Sequence, residues 1–402
     1  MKPNKKIHID VVVKYFLPVT AGIELNILNT YSVLVEKGFD VTIHTSKDTL
    51  TEKNVLPEKE TIKGLKIKRY SFGSDNMGYF PEIDWGKTDL VCLHNFNVFY
   101  WRILVHSLWL KLLGKKKFGL VVTPHGGFNP EWSIFNTWTR IKKEIYQYGM
   151  GPILINLVVD AVRGVSEWES REIISKGVLS KKAVTISNGI EDEAYLDVER
   201  KASREIRKKV KSWGNYIVQV GRVYPIKNYE TTIRALAKTP KNLNYVIVGP
   251  IQEDEKNKNY KKELDALISD LGLEKRVIFT GVIRGVDKFY VIRQAQMMVH
   301  MAIWESFCNV VHEGLSQGLV CLVANNTALP LLIKDGVNGY CLETKDDETL
   351  AEKINYVLEN KNSKFFKDMM VRNKKFGLET SWRNVASKME TLYLDLIKAY
   401  DK

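Results

Sequence analysis

Residues 215–237, NYIVQVGRVYPIKNYETTIRALA, contain a β-branched apolar run, a glycine-containing loop and an apolar-periodic segment, in that order. This order predicts a strand, a tight loop and a helix. The chain opens with the same pattern, in IHIDVVV at 7–13 and GIELNILNTYSVLVEKG at 22–38. Because the pattern restarts halfway along the chain, we expect two domains of one architecture.

Short apolar runs continue to alternate with helical patterns in both halves. They are DVTIHTS, DLVCLH, FGLVVTPHGG, DAVRGVS and AVTISNG before residue 190, and NLNYVIVG, RVIFTGVI, QMMVHMA and LVCLVAN after residue 215. Such alternation is typical of parallel sheets covered by helices on both faces. The predicted fold class is therefore α/β, with two doubly wound Rossmann-like domains facing across a cleft.

The domain boundary is expected where apolar periodicity is lost, in IEDEAYLDVERKA at 190–202. The first predicted domain covers residues 1–193 and the second covers 194–383. The last segment, SWRNVASKMETLYLDLIKAY, is an amphipathic helix with no strand after it. We expect its residues 384–402 to cross back and pack on the first domain.

Composition limits the class of protein. The 402 residues are 45% hydrophobic, and the four cysteines show no CxxC pair or zinc spacing, so reduced and mostly buried thiols of a cytoplasmic protein are expected. Asp10 and Lys14 interrupt the first apolar run, and no stretch reaches the roughly 18 apolar residues of a membrane helix. We therefore expect no signal peptide and no membrane span.

The net charge of +13 suits nucleic acid, an anionic membrane or phosphate-bearing ligands. The lysines are scattered and no aromatic-and-basic recognition motif is present, so we expect no nucleic-acid partner. There is no G-x-G-x-x-G after a first strand and no G-x-x-x-x-G-K-[ST], which argues against a dinucleotide oxidoreductase or a P-loop enzyme. A site is expected at the carboxyl ends of the strands.

Two cations follow the strand that opens the second half. In VGRVYPIKN, Arg222 and Lys227 lie in the predicted strand-to-helix loop at the carboxyl edge of the sheet. Arg222 offers a planar fork of donors and Lys227 a point charge, which together can hold a diphosphate. The alternative is a pair of solvated loop cations. Pro225 and Asn228 support the helix start in either case.

Two glutamates border the segment ESFCNVVHE, with a helix predicted over 307–316. Glu305 would then precede the helix, and Glu313 would lie more than one turn inside it. The helix N-terminus favours an anion, so the carboxylates would hold hydroxyl groups, Glu305 those of a sugar and Glu313 those of a ribose. Alternatively, Glu305 caps the helix and Glu313 is an ordinary surface residue. The amides expected to meet the phosphate are those of Phe307, Cys308 and Asn309.

The motifs together resemble the retaining nucleotide-sugar glycosyltransferases of family 4, which have the GT-B fold. The resemblance rests on VGRVYPIKN, ESFCNVVHEGLSQG, VCLVANN and DGVNGY, and extends to TPHGG, VSEWE and SNGIE, so it covers nearly the whole chain. It implies that Arg222 and Lys227 bind the donor diphosphate, Glu305 the transferred sugar and Glu313 the nucleoside ribose.

The resemblance also assigns residues beside the donor. It implies that His125, in TPHGG, contacts the donor sugar near the reaction centre, although a histidine at a strand end is commonly structural. The backbone at Gly221 and at Gly22 would approach the donor, and at Gly22 an alanine precedes where the family has a second glycine. Asn188 and Gly189 are interpreted as a turn without ligand contact. Ser166 is interpreted as a helix cap.

Four residues depart from the family pattern around the glutamate pair. Met301 and Ala302 replace a common Pro-Ser, and Ser306 and Cys308 replace common glycines. The side chain of Cys308 narrows the space there, while its amide still suits a ligand.

The resulting hypothesis is a retaining glycosyltransferase that moves a sugar from a nucleoside diphosphate donor to a hydroxyl of a glycan or lipid-linked acceptor, in polysaccharide or glycolipid synthesis. No cofactor and no metal are expected, because the cations and a helix end balance the diphosphate and no DxD triplet is present. The alternatives are a sugar-nucleotide epimerase or hydrolase, or a non-catalytic sugar-nucleotide binding protein on the same fold.

An anionic membrane surface is a further candidate partner. The segment 98–118 combines an apolar helix, two tryptophans and a KKK run, so it could dock on anionic lipid. It could equally be a sheet-covering helix with a solvated basic end. The expected location is cytoplasmic, either free or peripheral on the inner face of the membrane.

Overall fold

The computed structural model describes residues 6–49, 52–71, 79–96, 100–251 and 255–400. The chain forms two compact units, one of residues 1–189 with 382–402 and one of residues 190–381. The predicted boundaries were 193/194 and 383/384. Both observed boundaries lie a few residues before the predicted ones. Ile190 belongs to the second unit because its N–H donates to the carbonyl oxygen of Thr380 at 2.8 Å and because it forms a bridge with Ser381.

The fourteen strands of the described residues fall into two sheets. In chain order they are β1 (His8–Val12), β2 (Asp40–Ser46), β3 (Lys59–Ile62), β4 (Leu65–Tyr70), β5 (Leu90–His94), β6 (Gly119–Thr123), β7 (Ala161–Gly164), β8 (Ala183–Thr185), β9 (Asn215–Val220), β10 (Leu243–Val248), β11 (Val277–Gly281), β12 (Met298–His300), β13 (Cys321–Ala324) and β14 (Gly339–Leu342).

The helices of the described residues cover these sheets. In chain order they are α1 (Gly22–Glu36), α2 (Trp101–Leu112), α3 (Thr137–Ile145), α4 (Gly151–Val158), α5 (Glu167–Ser175), α6 (Val198–Lys201), α7 (Arg204–Trp213), α8 (Tyr229–Leu236), α9 (Glu255–Asp270), α10 (Gly285–Gln294), α11 (Asn309–Ser316), α12 (Leu329–Leu332), α13 (Asp347–Asn360), α14 (Lys364–Gly377) and α15 (Trp382–Lys398).

The sheet of the first unit has the order β3-β4-β2-β1-β5-β6-β7-β8. Its neighbours are parallel except for the antiparallel pair β3 and β4. This pair was not predicted from the sequence, because β3 is a half-exposed edge strand with an alternating polar pattern and lacks the continuous apolar run of a buried strand.

The sheet of the second unit is wholly parallel, with the order β11-β10-β9-β12-β13-β14. The parallel strands, seven in the first sheet and six in the second, follow the order of a doubly wound fold, in which the first and fourth of them are neighbours and the connections diverge. The α/β prediction of two doubly wound domains is confirmed. In the second unit this switch point lies between β9 and β12, so the loops after these strands leave the same edge.

The last helix completes the core of the first unit, as predicted. α15 packs against α1, and the side chains of Trp382, Val385, Met389 and Tyr393 are buried in the cluster that contains the β1 residues. The Lys37 ammonium pairs with Glu390 between the two helices.

Two further expectations concerned buried free cysteines and the absence of a membrane-spanning helix. Cys92, Cys308 and Cys321 are buried, Cys341 is partly exposed, and all four are free thiols. Among the residues that the structure describes, no helix combines the length and the apolar character needed to cross a bilayer.

Candidate functional site in the second unit

The loop after β9 starts at a glycine that the geometry requires. Gly221 has φ of +153°, and a Cβ there would lie 3.3 Å from the hydroxyl oxygen of Tyr229. That hydroxyl donates to the carbonyl oxygens of Gly221 at 2.9 Å and Arg222 at 3.2 Å. The loop that carries Arg222 is therefore held against α8 through its backbone.

Asn228 joins the loop after β9 to the loop after β12. Residues 225–227 form a 3₁₀ turn, and Asn228 adopts the left-handed conformation with φ of +50° before α8 begins. Its buried amide donates to the carbonyl oxygens of Met301 at 2.8 Å and Thr344 at 2.6 Å. The Ile303 N–H also donates to the carbonyl oxygen of Ile226 at 2.8 Å.

These links bring Lys227 and Glu305 together. The Lys227 Nζ lies 2.5 Å from Glu305 Oε1, and the His300 Nε2 lies 2.8 Å from the same oxygen. The Lys227 and Glu305 side chains are only 18% and 13% exposed. Lys227 is therefore not a solvated loop cation. Arg222 lies in the same loop, with its guanidinium 5.7 Å from the ring centre of Tyr224.

Electrostatics keep Glu305 ionised. Burial alone would raise its pKa, but the charge of Lys227 and the hydrogen bond from His300 outweigh burial and lower the pKa of Glu305 to about 2. Burial lowers the pKa of His300, so its ring is neutral and its Nε2–H donates to the carboxylate. The backbone N–H of Glu305 donates to the Thr327 hydroxyl at 3.0 Å, which holds the loop in place.

The helix after Glu305 begins later than predicted. α11 starts at Asn309, and Cys308 precedes it in the left-handed conformation with φ of +75°. Phe307 therefore lies in the loop, and the predicted start at 307 is wrong because the chain turns at Cys308. A left-handed residue before the helix also explains why glycine is common here in the family that the motifs resemble.

Glu313 is buried, not a surface residue. It is 6% exposed, and its Oε1 accepts from the Lys288 Nζ at 3.0 Å, which also donates to Glu191 at 2.9 Å. Burial raises the pKa of Glu313 to about 7, although the Lys288 charge opposes the shift. Among the described residues, Glu313 Oε2 is buried and has no hydrogen-bond partner. This oxygen is an unused acceptor that suits a ligand hydroxyl.

His300 and Lys288 were not predicted as site residues from the sequence, for different reasons. His300 is the last residue of β12, so its place at the switch point was readable from the sequence. Lys288 lies on α10, 25 residues before Glu313, and no local pattern connects the two.

One group in the described residues has the composition of a metal site. A His300 ring nitrogen, a Glu305 oxygen and the Cys308 Sγ lie within 4.8 Å of one another. The Glu305 oxygen already accepts from Lys227, and burial raises the pKa of the Cys308 thiol. A cation would have to displace an ammonium and deprotonate a buried thiol, so the geometry favours the ion pair.

Candidate site residues in the first unit

His125 ends a chain of hydrogen bonds within the first unit. It lies two residues after β6, with φ of +51°, and its Nε2 lies 2.9 Å from the His94 Nδ1. The His94 Nε2 lies 3.0 Å from the Tyr31 hydroxyl, which lies 2.8 Å from the Tyr393 hydroxyl. Burial, with the charge of Arg163, lowers the pKa of His125 to about 3, so its ring is neutral.

Glu169 holds the glycine loop beside His125. Its carboxyl group accepts from the N–H groups of Gly126 and Val165, the latter at 2.7 Å, and burial raises its pKa to about 7. The predicted cap is confirmed, because the Ser166 hydroxyl accepts from the Glu169 N–H at 3.1 Å at the start of α5.

Asn188 and Gly22 occupy different environments. Asn188 is buried, and its Oδ1 accepts from the Asn26 Nδ2 at 2.6 Å, next to the fully buried Arg163. Gly22 is the exposed first residue of α1, and the preceding Ala21 N–H donates to the Glu24 carboxylate at 2.8 Å. The contact of Gly22 and His125 with a donor stays a prediction.

Comparison with known proteins

Two family profiles match the two halves of the chain. The profile described as Glycosyltransferase Family 4 matches residues 20–194, and the profile described as Glycosyl transferases group 1 matches residues 201–375. HepE from Anabaena, solved with UDP-glucose, superposes with a TM-score of 0.72 at 19% identity, over 96% of this chain and 99% of HepE.

The curated relatives align with only part of this chain. N-acetylgalactosamine-N,N'-diacetylbacillosaminyl-diphospho-undecaprenol 4-alpha-N-acetylgalactosaminyltransferase of Campylobacter jejuni is 29% identical over 45% of this chain. N-acetyl-alpha-D-glucosaminyl L-malate synthase of Bacillus anthracis is 23% identical over 63% of this chain. The alignments span 45% and 66% of these relatives' own lengths.

The two doubly wound units have the GT-B fold that HepE shares, and the two profiles identify a glycosyltransferase. Within that class, the chain belongs to glycosyltransferase family 4.

Proposed function

We propose that this protein transfers a sugar from a nucleoside diphosphate donor to a hydroxyl of a glycan or lipid-linked acceptor, with retention of the anomeric configuration and without a metal or cofactor. The observation that carries the proposal is the pair of Lys227 and ionised Glu305 at the carboxyl ends of β9 and β12. The HepE complex with UDP-glucose and the Campylobacter relative's diphospho-undecaprenol acceptor support the two substrate classes.

The charges of the second unit fit the bond that must break. When the bond from the anomeric carbon to the phosphate oxygen breaks, its electron pair passes to the diphosphate. Arg222, Lys227 and the N-terminus of α11 stabilise this charge, and each such group is typically worth a few kcal/mol of barrier. The acceptor oxygen bonds to the same face of the anomeric carbon, and the departing phosphate oxygen takes its proton.

The carboxylates fit the neutral parts of the donor. Glu305, fixed by His300 and Lys227, accepts from hydroxyls of the transferred sugar. Glu313, with its unused buried oxygen, accepts from the ribose. The free thiols accord with a protein of the cytoplasm, and we place the reaction there, in polysaccharide or glycolipid synthesis.

The test follows nucleoside diphosphate release from a panel of sugar nucleotides, with and without lipid and glycan acceptors. Lys227→Ala and Glu305→Ala should each lower acceptor-dependent release by about a hundredfold or more, because each removes a charge or an orienting contact at the reacting centre. The matched control is Lys238→Ala and Glu348→Ala, which breaks an exposed ion pair of the same unit and should leave the rate unchanged.

The outcomes separate the candidate functions. Release that requires an acceptor supports a transferase, and release without one indicates a hydrolase. Interconversion of the sugar without release indicates an epimerase, and binding without turnover indicates a sensor. Near-normal rates in folded Lys227→Ala or Glu305→Ala protein would remove that residue from the site.

A further inference from the structure

A continuous helical run of the first unit exposes apolar side chains. α3, a π-helical turn over 146–150 and α4 follow one another without a break from residue 137 to residue 158. No α3 side chain is buried, and Trp138 and Ile145 are 75% and 67% exposed. Six exposed apolar residues of the run recur every three to five positions and so line one face: Trp138, Ile141, Ile145, Tyr148, Ile153 and Leu157. Met150 is also exposed.

The end of α2 extends this surface. Trp109, Leu112 and Leu113 are exposed there, Leu112 to 77%. The Lys111 Nζ donates to the carbonyl oxygen of Leu157 at 2.6 Å, which places the ends of α2 and α4 side by side. The combined set, the six residues of the run and the three of α2, is called the apolar face below.

The other side of α2 faces the core. Ile103, Leu104, Ser107 and Leu110 are buried, so most of the helix covers the sheet, as one of the two interpretations of segment 98–118 expected. Val105, in the middle of the helix, is 40% exposed, and the other large exposed apolar side chains lie at its carboxyl end. Residues 98 and 99 lie outside the described residues.

The segments that carry the apolar face contain more cations than carboxylates. Residues 101–118 contain one arginine and four lysines but no Asp or Glu, although Lys116 is buried against Asp160. Residues 137–158 contain Arg140, Lys142, Lys143 and a single acid, Glu144, which pairs with Arg140 at 2.8 Å. The Lys176 ammonium lies 4.5 Å from the ring centre of Tyr148. These cations, called the positive rim, give the segments that carry the apolar face a net positive charge.

We infer that the apolar face docks this protein on the surface of a bilayer that contains anionic phospholipid. A helix that lies flat, with Trp, Tyr and Ile side chains on one face and Lys and Arg beside them, matches the interfacial zone of a membrane. A second copy of the same face would bring two positive rims together, and like charges oppose such a contact. Single apolar residues are ordinary on a protein surface, but several that recur along one face of a helical run, beside a second helix end with three more, mark an interaction surface.

The consequence for the reaction rests on the proposed function. A lipid-linked acceptor has its reactive hydroxyl at the membrane surface, so docking through the first unit would raise the local concentration of acceptor near the enzyme. A soluble glycan acceptor would gain nothing from docking. The inference therefore selects the lipid-linked class of acceptor.

The test uses the full-length protein and vesicles of phosphatidylglycerol with phosphatidylcholine, or of phosphatidylcholine alone. We expect cosedimentation with the anionic vesicles that weakens as salt is raised. Trp138→Ser/Ile145→Ser/Ile153→Ser should weaken the partition at least about tenfold, since it removes three large apolar side chains. The matched control is Val337→Ser/Phe365→Ser/Val371→Ser, three exposed apolar residues of the second unit, which should bind as the parent does.

Several outcomes would overturn the inference. One is that the parent protein does not bind vesicles, and another is that the two triple variants bind equally well. A third is that the parent protein sediments as a dimer while the variant that includes Trp138→Ser sediments as a monomer. Nucleoside diphosphate release is measured on the same proteins with a water-soluble acceptor and with a lipid-linked acceptor carried in the vesicles. Turnover without vesicle binding would reject the docking and keep the proposed function, whereas vesicle binding without turnover would reject the proposed function and keep the docking.

Discussion

At the scale of single residues, Glu305 and Glu313 show how one residue type acquires two behaviours. Both side chains are largely withdrawn from solvent, and burial alone would raise the pKa of each. Glu305 has a lysine and a histidine donor on one oxygen, so its pKa falls to about 2. Glu313 shares one lysine with Glu191 and its pKa rises to about 7. The environment of Glu305 therefore lowers the pKa of its carboxyl, whereas the environment of Glu313 raises the pKa of the same group.

The raised pKa of Glu313 predicts a pH-dependent donor affinity. Below its pKa the carboxyl carries a proton, and above it the carboxylate can accept from both hydroxyls of a ribose. We expect the KM for the donor to fall as pH rises through the region of about 7, and Glu313→Gln to raise the KM and abolish this pH dependence. Initial rates measured on either side of neutrality check it.

The pH dependence of kcat serves as a control for the pH dependence of KM. Glu305 stays ionised throughout this range, so kcat should not show a limb from its titration. A parent enzyme whose donor KM is flat across this range would contradict the assignment of Glu313 to the ribose.

At the scale of elements, the site depends on how closely the strand ends approach one another. Gly249 follows β10 and Gly221 follows the neighbouring β9. A Cβ on Gly249 would lie 1.9 Å from the carbonyl oxygen of Gly221, so only a glycine permits this approach. The position of Arg222 in the loop thus depends on a glycine in another strand-to-helix connection.

This approach predicts that Gly249→Ala will damage both stability and donor binding. The added methyl group must push the Gly221 backbone away, and Arg222 would move with it. Gly272→Ala is the matched control, because Gly272 also has a left-handed φ, of +65°, but has open space around it. The control should cost only the left-handed strain of about 1–2 kcal/mol. Urea unfolding and the donor KM measure the two effects.

The stability and donor KM of the two variants show whether the close approach of Gly249 to Gly221 matters. Gly249→Ala should destabilise the protein by more than Gly272→Ala and should raise the donor KM, whereas Gly272→Ala should leave KM unchanged. Equal loss of stability with unchanged KM in both variants would show that the approach to Gly221 does not matter.

At the scale of the whole molecule, the two ends of the chain meet in one unit. α15 belongs to the first unit although the whole second unit precedes it in the chain. Its buried side chains complete the hydrophobic cluster around β1 and α1, and its Tyr393 ends the hydrogen-bond chain that reaches His125. The last helix therefore supports both the core and the candidate site of the first unit.

Removal of the last helix should destabilise the first unit selectively. Deleting residues 382–402 exposes the partners of Trp382, Val385, Met389 and Tyr393, and each such side chain contributes about 1.5–3 kcal/mol when buried. Hydrogen exchange should show loss of protection in β1, β2 and α1, with β9, β10 and β13 still protected. Uniform loss across both units would contradict this division.

Many elements could be predicted from local pattern. Apolar periodicity indicated the buried strands, the two doubly wound units, α1 and the C-terminal helix, because their residues face a core with period 2 or 3.6. The Ser166 cap was predicted for a similar reason, since its hydrogen bond joins residues only three apart. The edge pair β3 and β4 was missed because its half-exposed pattern lacks a continuous apolar run.

The fold class, the two-unit organisation and the loop position of Glu305 after a strand could all be inferred from local sequence pattern. Three features required the folded chain: the contact of Lys227 with Glu305, the contact of Lys288 with Glu313, and the outward-facing apolar residues of the helical run 137–158. The physical reason is the range of the interactions. Local periodicity records that a segment has an apolar face, whereas the partner of that face, or of a buried charge, is set by chain packing between residues far apart in sequence.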